Sequence, residues 1–168
     1  MATLATAPAF ERIAHSAPVS VDTRTQLIAD PGFGKIFTDH MVTIEWDEGQ
    51  GWHSARIGPR EPLSLDPAAA VLHYAQEIFE GLKAYRLEDG TMALFRPEEN
   101  ALRFNASADR LAMPNLPEET FIEAVRELVV TDRDWFPTIE GGSLYLRPCM
   151  VATEAFLGVR PAKQYKFL

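Results

Sequence analysis

Alternating apolar and polar residues predict an antiparallel hairpin near the start of the ordered chain. Residues 41–46 place an apolar side chain at every second position, so one face of this strand is apolar. Residues 47–51 contain two glycines and suit a hairpin loop, and residues 52–57 form the return strand.

A second hairpin follows from a similar alternation. Residues 81–87 and 91–96 alternate on either side of Glu88-Asp89-Gly90. Asp-Gly provides the positive φ that a tight turn between strands needs. The sequence therefore predicts two more antiparallel strands here.

Three segments have the features of helices. Pro67 suits the first turn of a short helix over residues 68–80, which Gly81 would end. Pro97, followed by two glutamates, begins another helix, and Pro117 opens a third. The third helix has one apolar face, formed by residues at helical spacing: Phe121, Ile122, Val125, Leu128 and Val129.

The remaining apolar runs are strands. Residues 143–153 form a strongly apolar strand, in which Pro148 limits how much can lie in the centre of a sheet. Residues 164–168 resemble the opening of a strand, and we expect its partner to lie in polypeptide outside this chain. The fold class is therefore α+β, an antiparallel sheet with flanking helices.

The expected organisation has three parts. Residues 1–31 form an N-terminal arm or linker, in which the first ten residues are mobile and residues 16–30 lack periodicity. Residues 32–160 form a small α+β domain, and residues 161–168 begin the connection to a larger domain that is missing from the chain. We expect a fragment.

Composition excludes several classes of protein. A net charge of −8 and the lack of a run of Lys and Arg argue against a nucleic-acid partner. No apolar run is long enough to span a membrane, and no basic leader precedes an apolar core. The single cysteine, Cys149, excludes an internal disulfide. We expect a cytoplasmic protein.

Common catalytic motifs are absent. No serine lies in Gly-x-Ser-x-Gly, and Gly32-Phe33-Gly34 lacks the third glycine of a dinucleotide-binding fingerprint. No metal site is expected, because four histidines lack ligand spacing: His15, His40, His53 and His73.

Aromatic residues and an arginine remain as candidates. Tyr74 and Phe79 either pack in the core or form a pocket wall. Tyr145 and Arg147 are two positions apart on a strand, so both project from one face. Arg147 needs a carboxylate partner, and spacing leaves open whether this chain or a ligand provides it.

Several blocks of sequence resemble one enzyme family. The blocks follow the order of the family between Phe33 and Leu168, and this order makes the match specific. They are Phe33-Gly34, residues 37–41 (FTDHM), 72–74 (LHY), 78–85 (IFEGLKAY), 94–97 (LFRP), 143–148 (SLYLRP) and 157–159 (LGV). The chain is thus similar to the branched-chain amino acid aminotransferases, fold type IV enzymes that use pyridoxal 5′-phosphate (PLP).

The resemblance implies transfer of the amino group of leucine, isoleucine or valine to 2-oxoglutarate, which forms glutamate. It also implies a homodimer, and we associate the enzyme with branched-chain amino acid biosynthesis, although the residues leave the direction open. By similarity, Arg103 contacts the PLP phosphate, Tyr145 helps to hold the substrate α-carboxylate, and Arg147 meets the side-chain carboxylate of glutamate.

The same resemblance assigns an apolar wall. Phe33, Tyr74 and Phe79 line the substrate pocket. Leu157 and Val159 lie on a loop that reaches the site of the neighbouring subunit, and Tyr74 is lent across the dimer in the same way. Apolar walls suit branched substrates, while a few polar groups receive glutamate.

The catalytic lysine of the family has no counterpart here. Transamination needs a Schiff-base lysine, which the resemblance places in a second domain beyond Leu168. Lys83 does not match it and is expected on a strand surface. We therefore expect the 168-residue chain alone to be inactive.

Two alternatives remain. A related type IV enzyme, a D-amino acid aminotransferase or an aminodeoxychorismate lyase, would share the architecture. A non-catalytic binding or dimerisation module would retain the pocket wall without the chemistry. The length of the complete reading frame separates the module from the enzymes.

Overall fold

The computed structural model describes residues 9–168, which form two β-sheets with helices packed against them. This is the α+β architecture that the sequence predicts. The expected mobility of the first ten residues falls mostly outside the described range.

The strands are β1 (Glu11–Arg12), β2 (His40–Asp47), β3 (Gly51–Pro59), β4 (Glu77–Phe79), β5 (Leu82–Arg86), β6 (Met92–Leu94), β7 (Ser143–Leu146), β8 (Cys149–Ala152) and β9 (Gln164–Phe167). The helices are α1 (Val21–Ala29), α2 (Ala70–Tyr74), α3 (Pro97–Arg110) and α4 (Glu118–Thr131), with a 3-10 turn at Arg133–Trp135.

The larger sheet has the strand order β1-β3-β2-β9-β8-β4, and all of its pairs are antiparallel except β1 with β3. The predicted first hairpin is confirmed, because β2 pairs with β3 and Trp46 lies opposite Trp52. Val42 and Ile44 are buried, as the alternation predicts.

Strand β9 is confirmed, but its expected partner is wrong. It lies inside the larger sheet, where Phe167 pairs with Ile44 of β2 on one side and with Met150 of β8 on the other. Tyr165 and Phe167 are buried by this chain itself. Apolar residues near the end of the chain therefore complete its own sheet, while the limits of the domain in the complete protein stay a prediction.

The smaller sheet has the strand order β6-β5-β7. Its β5–β6 hairpin is the second predicted one, with Gly90 at a φ of +82° and the Leu87 amide donating to the Thr91 carbonyl at 2.8 Å. The prediction is confirmed, and the Asp-Gly turn explains the register.

The predicted helix over residues 68–80 is mostly wrong. Helix α2 ends at Tyr74, where Ala75 adopts a left-handed φ of +49°. Residues 77–79 instead form β4, whose only buried residue is Ile78, and they pair with β8. Hydrogen bonds to a distant strand therefore decide the structure of this short apolar run, whereas local propensity does not.

The predicted strand over residues 143–153 is two strands in two sheets. Strand β7 pairs with β5 in the smaller sheet, and β8 pairs with β4 and β9 in the larger one. The chain crosses between the sheets at Arg147-Pro148, because proline has no N–H to donate to a ladder.

Residues 21–29, within the expected N-terminal arm or linker, form a helix although their sequence lacks periodicity. Helix α1 begins after Ser20, whose hydroxyl accepts a hydrogen bond from the Thr23 amide at 3.2 Å. This is an ordinary serine N-cap, and Ile28 of the helix is buried.

Helices α3 and α4 pack on the larger sheet through aromatic rings. Phe104 of α3 lies 5.5 Å from Phe121 of α4 and 5.6 Å from Phe167 of β9, between ring centroids. The predicted helix starts at Pro97 and Pro117 are confirmed to within one residue, and the predicted apolar face of α4 is directed inward. No helix among residues 9–168 combines the length and apolar character needed to cross a membrane.

Candidate functional site

The two sheets meet where the chain crosses between them twice. Glu80-Gly81 connects β4 to β5, and Arg147-Pro148 connects β7 to β8. The crossings are adjacent, because the Glu80 amide donates to the Pro148 carbonyl at 2.8 Å. Side chains from both crossings therefore gather in one place.

An arginine and three aromatic rings form a cluster at this junction. The Arg147 guanidinium carbon lies 4.5 Å from the centroid of the Phe79 ring, and its Nη2 donates to the Tyr145 hydroxyl at 2.9 Å. The Phe33 ring packs edge-on against Tyr145, with centroids 5.2 Å apart. The prediction that Tyr145 and Arg147 share a face is confirmed. We call Phe33, Phe79, Tyr145 and Arg147 the Arg147 cluster.

The Arg147 cluster is open to solvent, and its charge is uncompensated within residues 9–168. Phe33 is 72% exposed and Phe79 is 63% exposed, although both are large apolar residues. No carboxylate of the described residues lies within ion-pair distance of Arg147. An exposed apolar wall beside an unpaired guanidinium suits a small ligand that has both an aliphatic part and a carboxylate.

Arg103 is held by a carboxylate that sequence reasoning missed. Its Nε and Nη2 donate to the two oxygens of Glu80 at 2.6 Å and 2.7 Å. Asn100 also donates to Glu80, at 2.8 Å. The Glu80 side chain is only 7% exposed, whereas that of Arg103 is 64% exposed. Nothing local to Glu80 in the sequence signals a partner 23 positions away on another element.

Both members of this pair have shifted pKa values. Burial raises the pKa of Glu80, but the hydrogen bonds from Arg103 and Asn100 and the charge of Arg103 outweigh burial, so its pKa lies below the ordinary value. The hydrogen bond to Glu80, followed by its charge, raises the pKa of Arg103. The pair is therefore ionised throughout the neutral range.

Gly81 leaves room for Tyr145. A Cβ atom at residue 81 would lie 3.1 Å from Cζ and 3.3 Å from Cε2 of Tyr145, and the phenol oxygen would be closer still. These distances are shorter than carbon atoms tolerate without movement. The absence of a side chain at Gly81 therefore allows the Tyr145 hydroxyl to occupy this position.

A cavity of about 640 Å³ opens beside the Arg147 cluster. Phe33, Tyr145 and Arg147 belong to its lining, together with the apolar side of α4 and Leu168. Its volume is within the range of small-molecule sites. Phe79, Glu80 and Arg103 do not belong to its lining.

Tyr74, Leu157 and Val159 form a separate group. The Tyr74 ring packs against Phe156, with centroids 6.2 Å apart, and Phe156 begins the loop that exposes Leu157 and Val159. Arg160 fastens this loop through an ion pair to Glu154, at 2.7 Å. Val159 is 99% exposed, so the loop presents an apolar tip. A role for this tip at a neighbouring subunit stays a prediction.

Three lysines, at positions 83, 163 and 166, lie on or next to strands β5 and β9. Lys83 is exposed on β5, as expected, although it lies directly opposite Tyr145 in the strand register. Lys163 and Lys166 form ion pairs with glutamates of the β2 hairpin. Among the described residues, no group of three His, Cys, Asp or Glu side chains could hold a metal ion.

Arg103 fits the phosphate end of a cofactor such as PLP. Its guanidinium is exposed, and Glu80 accepts from Nε and one Nη2 hydrogen, which leaves the Nη1 donors for another acceptor. Arginine forks of this kind bind phosphate oxygens well. A single arginine does not enclose a phosphate, so other groups must complete such a site.

Comparison with known proteins gives close relatives for the whole described fold. No protein-family model matches the chain. A probable branched-chain-amino-acid aminotransferase of Streptomyces coelicolor is 58% identical over 164 residues, which are 97% of this chain and 45% of the relative. The branched-chain-amino-acid aminotransferase of Mycolicibacterium smegmatis is 54% identical over 160 residues, 95% of this chain and 44% of the relative. The chain thus spans about half the length of the curated relatives it matches.

Solved structures agree with this similarity. The T.th. branched-chain amino acid aminotransferase, in complex with N-(5′-phosphopyridoxyl)-L-glutamate, matches with a TM-score of 0.51 and 28% identity, over 74% of this chain and 38% of that one. The same enzyme has been solved with 4-methylvaleric acid. The likeness confirms the α+β fold as that of a domain found in fold type IV aminotransferases.

Proposed function

Because the chain belongs by sequence to the branched-chain aminotransferases, we propose that the complete protein transfers the amino group of leucine, isoleucine or valine to 2-oxoglutarate. Residues 9–168 provide the substrate-recognition part of the site, as the small N-terminal domain. The catalytic lysine belongs to polypeptide outside residues 1–168, so these residues alone are inactive.

The observation that supports the proposal is the composition of the Arg147 cluster. Its phenyl rings offer an aliphatic side chain an apolar surface, while the unpaired Arg147 offers a carboxylate a charged donor. One site can therefore accept leucine and glutamate in turn. The T.th. relative, which binds both a glutamate adduct and 4-methylvaleric acid, is consistent with this dual use.

The residues of this chain have distinct tasks in the proposed reaction. The Tyr145 hydroxyl donates to the substrate α-carboxylate, and Arg147 binds the side-chain carboxylate of glutamate. Phe33 and Phe79 exclude water from the aliphatic part of the substrate. Arg103 binds the phosphate of PLP.

PLP supplies the carbonyl that accepts the amino group and the electron-withdrawing ring that makes the α-hydrogen acidic. The residues of this chain bind and orient but do not move that proton. A homodimer completes the wall, with Tyr74, Leu157 and Val159 contributed by the neighbouring subunit. A cytoplasmic location stays an expectation from composition.

A substrate panel on the complete protein tests the proposal. Purified protein with PLP is assayed with each amino donor in the presence of 2-oxoglutarate. We expect leucine, isoleucine and valine to be converted and D-alanine and aminodeoxychorismate to be poor substrates. Preference for D-alanine, or lyase activity on aminodeoxychorismate, would favour a related type IV enzyme, and absence of any turnover would favour a binding module.

A further inference from the structure

Glu80 is a buried carboxylate at the junction of the two sheets. Its amide is fixed by the Pro148 carbonyl, and its side chain accepts from Arg103, Asn100 and, at 3.4 Å, the Gly81 amide. Every one of these donors belongs to the junction or to the first turns of α3. The carboxylate therefore has a fixed position from which it can orient Arg103.

We propose that Glu80 is a positioning residue that holds the Arg103 guanidinium in one orientation for the cofactor phosphate. The inference rests on the proposed function, in which Arg103 binds that phosphate. It adds a residue that acts through Arg103 and does not itself touch the cofactor.

Two nitrogen–oxygen contacts define the orientation. A guanidinium bound through Nε and Nη2 to both oxygens of one carboxylate cannot rotate about its last bond without losing a hydrogen bond. An exposed arginine without such a partner samples many rotamers, and ordering it on binding a ligand reduces affinity. The pair therefore lowers the entropic cost of binding phosphate.

Stability alone does not account for the pair. Arg103 is mostly exposed, and ion pairs with an exposed partner contribute little to folding. Burying the Glu80 carboxylate has a desolvation cost, which an apolar residue in its place would avoid. The arrangement is therefore better explained by the need to orient a charged group at the surface.

Orientation and charge predict opposite effects on phosphate binding. Glu80 neutralises Arg103, so removal of its charge would strengthen binding of an anion if only net charge mattered. If orientation matters more, removal of Glu80 weakens binding. This difference in sign makes the inference testable.

The test compares PLP with pyridoxal, which lacks the phosphate. Dissociation constants for both are measured by absorbance titration of the complete protein, as wild type, E80Q and E99Q. Glu99 is the control, because it lies one turn before Arg103 and contributes charge to it, but forms its ion pair with Arg96. We expect E80Q to weaken PLP binding about tenfold and to leave pyridoxal binding within about twofold, with E99Q like the wild type.

Two results overturn the inference. Equal loss of PLP and pyridoxal binding in E80Q means that Glu80 is only structural. Unchanged or tighter PLP binding in E80Q means that charge outweighs orientation. If E80Q does not fold, as judged by circular dichroism, E80D replaces it: partial loss of the preference for PLP over pyridoxal supports the inference, and a preference equal to that of the wild type contradicts it.

R103Q separates this inference from the proposed function. The substitution removes both the charge of Arg103 and the fork that binds Glu80. If R103Q retains the wild-type preference for PLP, Arg103 does not bind the phosphate, and that part of the proposed function fails with the inference. If R103Q loses the preference while E80Q keeps it, only the role of Glu80 is wrong.

Discussion

The hydroxyl of Tyr145 occupies the space in which a side chain at residue 81 would begin. The nearest ring carbons of Tyr145 lie 3.1 Å and 3.3 Å from an ideal Cβ at Gly81. The backbone of Gly81 is outside the left-handed region, so an alanine could adopt its conformation. Residue 81 must be glycine because the Tyr145 ring lies where a side chain would begin. This contact connects the β4–β5 crossing, which contains Gly81, to strand β7, which leads into the β7–β8 crossing.

Substitution of alanine for Gly81 should therefore damage substrate binding more than folding. Tyr145 is partly exposed and can swing away from the new methyl group, which breaks its hydrogen bonds from Arg147. In the complete protein, G81A should raise KM for leucine and for glutamate about five- to tenfold. Steady-state kinetics with each donor measures this.

The Y145F background provides the control for that prediction. Without the phenol oxygen most of the steric conflict is gone, so G81A should have little further effect on KM in Y145F. An equally large effect of G81A in both backgrounds would mean that Gly81 acts independently of the Tyr145 hydroxyl.

Loss of Arg147 should separate the two kinds of substrate. R147Q removes the charged donor but leaves the aromatic wall, so KM for glutamate should rise about tenfold or more while KM for leucine changes less than about threefold. R86Q is the matched control. Arg86 also stacks on an aromatic ring, that of Phe136, but lies outside the Arg147 cluster. Equal effects of R147Q on both substrates would contradict the assigned role.

Local sequence patterns were sufficient for the elements that depend on neighbouring residues. The Asp-Gly turn fixes the β5–β6 hairpin, and proline followed by glutamates marks the starts of α3 and α4. Both signals act within one turn of chain. The likeness of motifs such as 78–85 to a known family supplied the functional assignment, which spacing alone left open.

Elements that depend on distant strands were not predictable in this way. Ile78 lies in a strand only because β8 pairs with β4. Tyr165 and Phe167 are buried only because β2 and β8 flank β9. The Glu80–Arg103 pair has the same origin, since the junction of the sheets brings it together. The periodicity of apolar residues shows which face of an element is buried, but it does not identify the strand or side chain that the element contacts.

The Glu80–Arg103 pair should stabilise the fold in a pH-dependent way. The pKa of Glu80 is lower in the folded protein than its ordinary value near 4.5, so the pair contributes stability above that pH and loses it as pH falls through the folded-state pKa. At neutral pH, E80Q should be less stable than wild type by at most about 1 kcal/mol, because Arg103 is mostly exposed. The difference should shrink below about pH 4.5.

Thermal unfolding of the complete protein over a series of pH values measures this difference. Subtracting the Tm of E80Q from that of the wild type cancels groups that titrate identically in both. A difference that stays constant or grows toward acid pH would contradict the ionised, hydrogen-bonded state of Glu80.

Cys149 should react slowly with alkylating reagents. Burial, and to a lesser extent the charge of Glu77, raises the pKa of its thiol to about 11. The reactive thiolate is therefore on the order of 100-fold scarcer near neutral pH than for an ordinary cysteine. Iodoacetamide labelling followed by peptide mapping should show slow modification of Cys149 in the folded protein and fast modification in urea. Fast modification under native conditions would mean that the residue is accessible.

The most direct test of the account is to locate the lysine that holds PLP in the complete protein. The four lysines of residues 1–168 include Lys83, which is exposed beside Tyr145, whereas a lysine that holds PLP is expected in a desolvated site. PLP is added, the product is reduced with borohydride, and the labelled peptide is identified by mass spectrometry. We predict one labelled lysine, outside residues 1–168, in protein that converts leucine with 2-oxoglutarate. Stoichiometric label on Lys83 would contradict the account.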